Sequence, residues 1–143
     1  MAFSNTYRGP SRNTITSYQN ASGSTLSKAI PVSVNTSGQL VNIDVSVEIS
    51  VQAIVGLTAE SIPNSAIGKI IDNGRLEDIS TPYAIGDAIY VSKTGTLTNV
   101  KPEIGVGGFL SGDFVIFIGV IVKNEFNPIQ RDLKLMISVI GQL

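Results

Sequence analysis

The sequence predicts an all-β protein: a compact β-barrel or sandwich of about eight to nine short strands, with an extended N-terminal arm. Ile and Val number 33, against 19 Leu, Ala and Met, and β-branched side chains suit the pleated surface of a sheet. Turn signals recur about every eight to twelve residues, which is typical of sandwiches and barrels. A chain of 143 residues is long enough for one core and too short to expect two independent ones. We therefore expect an arm at residues 1–25 and a single β domain at residues 26–143.

The predicted arm is polar. It contains twelve Ser, Thr or Asn residues, and its few large apolar side chains cannot offset the entropy of ordering it alone. Two interpretations stay open: a disordered chain end, or a segment that orders on a partner. In the second interpretation the partner-binding residues are the aromatic side chains and arginines of the arm, namely Phe3, Tyr7, Arg8, Arg12 and Tyr18.

The first strands of the β domain follow the arm. "IPVSVN" is predicted as a strand, and Ser37-Gly38 as the hairpin turn after it. Apolar and polar residues alternate strictly over residues 43–51, which predicts one long strand with one buried face. In residues 52–71, Pro63 would break a helix, so we expect two short strands flanking the turn at Pro63-Asn64.

Four further strands are predicted in the second half. "DAIYVSK" and "TLTNV" form a hairpin around Thr94-Gly95. "DFVIFIGVIV" is nearly continuous in apolar residues, as expected for a strand buried on both faces. "LKLMISVIGQL" is the final strand.

Glycine residues lie at the predicted turns between these strands. The sequences "SGQL", "NGRL" and "TGTL" each place a turn before a returning Leu, and glycine allows the positive φ that tight turns require. Asn73-Gly74 is the pair that two-residue hairpin turns prefer. Gly-Asp precedes an apolar strand twice. The predicted structural turn residues are Gly38, Gly74, Gly86, Asp87, Gly95, Gly112 and Asp113.

Composition favours a protein without enzymatic activity. The chain has no Cys and no His, which excludes thiolate chemistry, His-based triads and the commonest transition-metal ligands. Adjacent residues of a strand point to opposite faces, so Glu77 and Asp78 would not converge on one bond. A hydrolase that uses carboxylates alone therefore ranks last. A calcium site at Asp72, Asn73 and Asp78 lacks the required loop spacing. We predict no catalytic, cofactor-binding or metal-binding residue.

Charge gives no sign of a nucleic-acid or membrane partner. The net charge is −1, with three basic residues and no acid in residues 1–43, too few for DNA binding. No apolar stretch approaches the length of a membrane span, and the start lacks the apolar region of a signal peptide. The glycine-rich residues 105–112 lack the pattern and the helix of a phosphate-binding loop. We expect synthesis and use without secretion.

Residues 31–143 resemble the small β-barrel module of tailed-bacteriophage virion proteins, including head-decoration and head-fibre proteins. The matching pieces are "GDAIYVS" at 86–92, "TGTLT" at 94–98, Lys101-Pro102 and "IGV" at 118–120. The resemblance implies a non-enzymatic virion component, commonly trimeric, that docks on a capsid or tail surface through its terminal segment. Its expected partners are further copies of itself and the major capsid protein or another virion protein.

A second hypothesis is a tail-associated or fibre-associated adaptor that binds host-surface glycans. Such sites display exposed aromatic side chains beside polar ones. The chain has no Trp, and Tyr83 and Tyr90 are expected to be at least partly structural. The sequence therefore argues against a strong glycan site in the β domain.

Overall fold

A computed structural model describes residues 13–143, and it confirms the all-β fold class. Within this range the strands form one antiparallel sheet that curls into a half-barrel. The described residues contain nine strands and one helix of five residues, in the order β1 (Thr14–Gln19), β2 (Pro31–Val34), β3 (Leu40–Asn42), α1 (Glu48–Gln52), β4 (Ile54–Thr58), β5 (Ile67–Leu76), β6 (Ala88–Val91), β7 (Leu97–Thr98), β8 (Phe114–Lys123) and β9 (Arg131–Gln142).

The sheet order is β3-β2-β4-β5-β9-β8-β6-β7, and β1 pairs with β5 outside this path. The apolar strand β8 has β6 on one edge and β9 on the other. Its residues from Phe114 to Val122 are buried or half-buried on both faces, as their nearly continuous apolar run predicted. At the opposite end of the sheet, an isolated bridge joins Asn20 to Leu40. This bridge links the end of β1 to β3. The five-strand path β1-β5-β4-β2-β3 therefore curls back on itself.

Two apolar cores lie on opposite faces of β5. The larger core includes Ile71 together with side chains from β6, β8 and β9, and the smaller core includes Ile70 with Leu26, Val32, Leu40 and Ile62. Neighbouring residues of a strand point to opposite faces, which is how Ile70 and Ile71 enter different cores. Strand β5 is therefore shared by both halves of the molecule.

The second half of the predicted arm belongs to this fold. Residues 14–19 form β1, which pairs with β5 from Thr14–Asn73 to Gln19–Ile67. Asn20 is completely buried, and its side-chain amide donates to the carbonyls of Ser24 and Ile62, each at 2.9 Å. The predicted boundary at residue 25 is thus too late, because cross-strand pairing orders a polar segment that could not order itself. Residues 1–12 lie outside the described range.

The predicted long strand at residues 43–51 is wrong. Ile43 and Val45 are buried, but the chain then turns, and residues 48–52 form α1. Asp44 drives the turn: its carboxylate accepts hydrogen bonds from the N–H and the hydroxyl of Ser46. These bonds hold the pKa of Asp44 below its ordinary value. The alternation assigned Val47 and Ile49 to the core, but these side chains are 44% and 75% exposed.

The predicted hairpin turn at Asn73-Gly74 is also wrong, because both residues lie inside the ten-residue strand β5. Thr14 pairs with Asn73 and Ile15 with Ile71, which leaves Asp72 as the extra residue of a β-bulge. The bulge lies where β5 changes partners, from β4 at residues 70–71 to β9 at residues 74–76. Gly74 has a φ of +103°, so the Asn-Gly pair supplies the conformation of a bulge instead of a turn.

Candidate functional site

The other predicted turn residues lie in turns that support the sheet. Gly38 lies between the paired strands β2 and β3, and Gly95 lies between β6 and β7. The N–H groups of Gly38 and Gly95 donate to the carbonyls of Asn35 and Ser92, at 2.9 and 3.0 Å.

The two Gly-Asp pairs form the same turn. In the first turn the Asp87 N–H donates to the Ala84 carbonyl at 3.0 Å, and the Asp87 carboxylate accepts the Ala84 N–H at 3.0 Å. In the second turn Asp113 bonds Leu110 in the same two ways, at 3.1 and 2.8 Å. Each turn directs the chain into a core strand, β6 or β8, so these aspartates have a structural role.

Asp113 additionally forms an ion pair. The Lys93 ammonium lies 2.7 Å from Oδ2 of Asp113, and the aspartate side chain is only 3% exposed. The hydrogen bond from Lys93 holds the pKa of Asp113 below its ordinary value, against the opposing effect of desolvation. This pair ties the β6–β7 hairpin to the start of β8.

A second buried aspartate supports the hairpin between β8 and β9. Asp132 accepts hydrogen bonds from the side-chain amide of Asn124 at 3.2 Å and from the Asp78 N–H at 3.0 Å. The side-chain Oδ1 of Asn124 in turn accepts the N–H of Phe126 at 2.9 Å. The hairpin presents Phe126 and Ile129, which are 92% and 83% exposed.

Apolar side chains are concentrated on the surface around Pro102. Pro102 separates two clefts, one lined by Val106 and the other by Ile140. We call this surface the Pro102 patch. Its large apolar side chains, all at least 40% exposed, are Val100, Val106 and Ile140, which line the clefts beside Lys101 and Glu103, and their chain neighbours Ile104 and Leu110. Monomeric soluble proteins rarely leave large contiguous apolar patches exposed to water.

A pocket of about 440 Å³ opens where β5 changes partners. Because β4 pairs with β5 over only two residues and β9 over only three, the two strands diverge beside Asp72 and leave a gap. We call this gap the β4–β9 pocket. Its apolar wall is formed mainly by Ile54, Val55, Ile137 and Val139, and its polar side chains are Thr16, Tyr18, Gln52, Asp72 and Ser138.

The structure distributes the predicted arm residues over two regions. Phe3, Tyr7, Arg8 and Arg12 lie outside the described residues. Tyr18 lies in β1, where it is half-buried, packs against the smaller core and lines the β4–β9 pocket. Its assignment to the arm concealed its position in this pocket, because the sequence does not show that β1 pairs with β5.

The other two tyrosines considered for glycan binding have structural contacts. The Tyr83 hydroxyl donates to the Leu97 carbonyl at 3.3 Å, and its ring packs against the larger core. The ring of Tyr90 lies edge-to-face with Phe117, at 5.7 Å between centroids. Neither residue lines the β4–β9 pocket.

The acidic residues considered for catalysis or calcium binding do not form a cluster. Glu77 and Asp78 follow the end of β5 and are exposed, and Lys28 donates to both of their backbone carbonyls, at 2.6 and 3.3 Å. Within residues 13–143, no group of three acidic side chains is placed to hold a metal ion. No helix of this range is long and apolar enough to cross a membrane.

Comparison of the sequence with protein-family models and with curated proteins finds no match.

Proposed function

We propose that the protein is a non-enzymatic structural component of a tailed-bacteriophage virion, a capsid decoration or head-fibre protein. It forms a homotrimer through its β domain and attaches to the major capsid protein, or to another virion protein, through its N-terminal segment. It is made in the host cytoplasm and functions on the virion surface. The observation that carries this proposal is the Pro102 patch, an apolar surface on a domain with few charged residues.

The Pro102 patch supports contact between subunits. Fully buried cores of subunit interfaces are apolar and depleted in charge, and here the exposed side chains of Val100, Val106 and Ile140 line the clefts on either side of Pro102. A second copy of the chain offers the same apolar surface at equal concentration. In a closed trimer, the three copies of this surface would meet around the threefold axis, where each subunit contacts both neighbours.

Charge supports attachment through residues 1–12. This segment contains Arg8 and Arg12 and no acid, whereas residues 13–143 contain eight basic and eleven acidic side chains. The segment therefore carries a net charge of +2 against −3 for residues 13–143, and negative charge on a virion surface would accelerate its association. The aromatic rings of Phe3 and Tyr7 supply the apolar anchors that such contacts use.

The subunit contact is tested by measuring mass in solution with light scattering after size exclusion. We expect a trimer for the full chain and a monomer for Ile104→Glu, because a charge in the Pro102 patch would be buried without a partner. Ile129→Glu is the matched control, an exposed isoleucine on a distant hairpin, and it should remain trimeric. A monomeric full chain, or a trimeric Ile104→Glu variant, would refute this interface.

Attachment is tested by cosedimentation with capsids of the phage that encodes the protein. We expect the full chain to bind to the capsids. A chain starting at Asn13 should remain a trimer and no longer bind to them. Truncation at Asn13 preserves β1, which truncation at residue 26 would remove. Equal binding by the shortened chain would exclude the N-terminal segment as the attachment site.

A further inference from the structure

We propose that the β4–β9 pocket binds a neutral saccharide, with Tyr18 and Asp72 as its main polar contacts. This inference goes beyond the proposed virion role and does not depend on it. It starts from the position of Asp72 in a β-bulge, a feature that often re-aims a side chain beside a functional site.

The polar side chains of the pocket are not used by the fold. Within residues 13–143, Thr16, Tyr18, Gln52, Asp72 and Ser138 form no side-chain hydrogen bond or ion pair with other protein groups. Other polar side chains near the strand ends are bonded to backbone groups of the protein, as Asn20, Asp87 and Asp113 are. The hydrogen-bonding capacity of the pocket is therefore available to a ligand.

The chemistry of these groups fits a polyhydroxylated ligand. Three hydroxyls and an amide both donate and accept hydrogen bonds, and the carboxylate accepts them. Sugar hydroxyls match this mixture, because each also donates and accepts. Apolar atoms of Tyr18 and Val55, which pack toward the smaller core, and of Ile54 and Ile137, which pack toward the larger core, also line the pocket and can contact the C–H groups of a sugar ring.

Charge and size limit the ligand further. Among the described residues that line the pocket, Asp72 is the only charged one, so a phosphate, a uronic acid or a sialic acid would meet a carboxylate with no compensating cation from residues 13–143. The volume of about 440 Å³ lies in the usual range for small-molecule sites, roughly 300–1,000 Å³. The pocket is open to solvent, and we expect millimolar affinity for a single sugar unit.

The test is NMR titration of the ¹⁵N-labelled full chain with glucose, galactose, mannose and N-acetylglucosamine, with glucuronic acid and sialic acid as anionic probes. We expect at least one neutral sugar to shift amide signals of residues 16–18, 52–56 and 137–139, and the anionic probes to leave them unchanged. No shift with any neutral sugar up to 100-fold excess over protein, or equal shifts with an anionic probe, would overturn the proposal.

Variants locate the binding site. Asp72→Asn and Tyr18→Phe preserve side-chain shape. Asp72→Asn removes the charge of the carboxylate that accepts hydrogen bonds from the ligand, and Tyr18→Phe removes the hydroxyl that bonds to it. Each variant should weaken binding about tenfold. Glu77→Gln and Tyr90→Phe are the matched controls outside the pocket and should bind as the unaltered chain does. Unchanged affinity in both pocket variants would exclude this site. Binding seen only with a chain starting at Asn13 would assign the pocket to residues 1–12 and equally overturn the proposal.

Failure of this inference is distinguishable from failure of the proposed function. A chain that binds no sugar but still cosediments with capsids would lose only the pocket assignment. A chain that binds sugar and does not attach to capsids would lose only the virion role.

Discussion

The buried carboxylate of Asp113 gives the clearest prediction for a single residue. Asp113→Asn would leave the turn geometry possible but would remove the charge that partners Lys93, and hydrogen bonds to charged groups contribute about 1.5–3 kcal/mol. We expect the free energy of unfolding, measured by urea denaturation at pH 7, to fall by about 2 kcal/mol. Asp87→Asn is the matched control, because Asp87 forms the same turn without an ion pair among the described residues.

The pH dependence of this difference follows from the lowered pKa of Asp113. A carboxyl whose pKa is depressed in the folded state adds stability above its unfolded pKa of about 3.9 and loses it as the pH falls through the folded value. The gap between the Asp113→Asn variant and the unaltered chain should therefore be full at pH 7 and narrow only below about pH 4. A gap that is as large at pH 2 as at pH 7 would contradict an electrostatic origin.

At the scale of residues, the sequence shows local chemistry better than distant partners. The repeated Gly-Asp pairs are visible in the sequence, and both form the same turn. The partner of Asp113 is not visible, because Lys93 lies 20 positions earlier and meets it only through the packing of a hairpin. The same limit applies to the β4–β9 pocket, whose side chains come from four strands and a helix.

Among the elements, strand β5 depends on glycine at its bulge. The Asn13 side chain accepts the Arg75 N–H at 2.9 Å and donates to the Arg75 carbonyl at 3.2 Å, which anchors the start of β1. A Cβ atom at position 74 would overlap Asn13 and would occupy a backbone conformation that costs about 1–3 kcal/mol. We therefore expect Gly74→Ala to lower the free energy of unfolding by at least about 2 kcal/mol.

Gly86→Ala separates the two causes, and urea denaturation of both variants measures them. Gly86 has a φ of +94°, but an added Cβ there meets no atom within 4 Å. It should show the backbone cost alone, about 1 kcal/mol. If Gly74→Ala is no more destabilising than Gly86→Ala, the contact between Asn13 and β5 contributes nothing measurable to the fold.

Alternation and turn preferences predicted most elements, and they failed where a local side-chain hydrogen bond or a tertiary contact overrides the pattern. The pattern at residues 43–51 fits a strand, but hydrogen bonds of Asp44 to Ser46 turn the chain into α1. Asn73-Gly74 fits a hairpin, but β1, β4 and β9 all pair with β5 and keep it extended. Polar composition at residues 14–19 fits an arm, but an available strand edge orders it as β1.

For the whole molecule, the sequence predicted one domain, and the structure contains two cores on opposite faces of one strand. The length of the chain limits how much apolar surface can be buried, but it does not show whether that surface is buried in one core or in two. Neither core is independent, because Ile70 of the smaller core and Ile71 of the larger core are consecutive residues of β5. If the smaller core unfolds around Ile70, the backbone that holds Ile71 in the larger core is displaced as well. Strand β5 therefore couples the two halves mechanically.

This coupling predicts a single unfolding transition. Ile70→Ala removes apolar volume from the smaller core and Ile118→Ala from the larger one, and each should cost about 2–5 kcal/mol. Urea unfolding of each variant, at one protein concentration, should give coincident curves by far-ultraviolet circular dichroism and by tyrosine fluorescence, with only the midpoint lowered. Because Tyr18 adjoins the smaller core, a fluorescence change that precedes the loss of circular dichroism in Ile70→Ala would mean that this half opens alone. The β4–β9 pocket, which is lined by residues of both β1 and β9, would then be lost before the larger core unfolds.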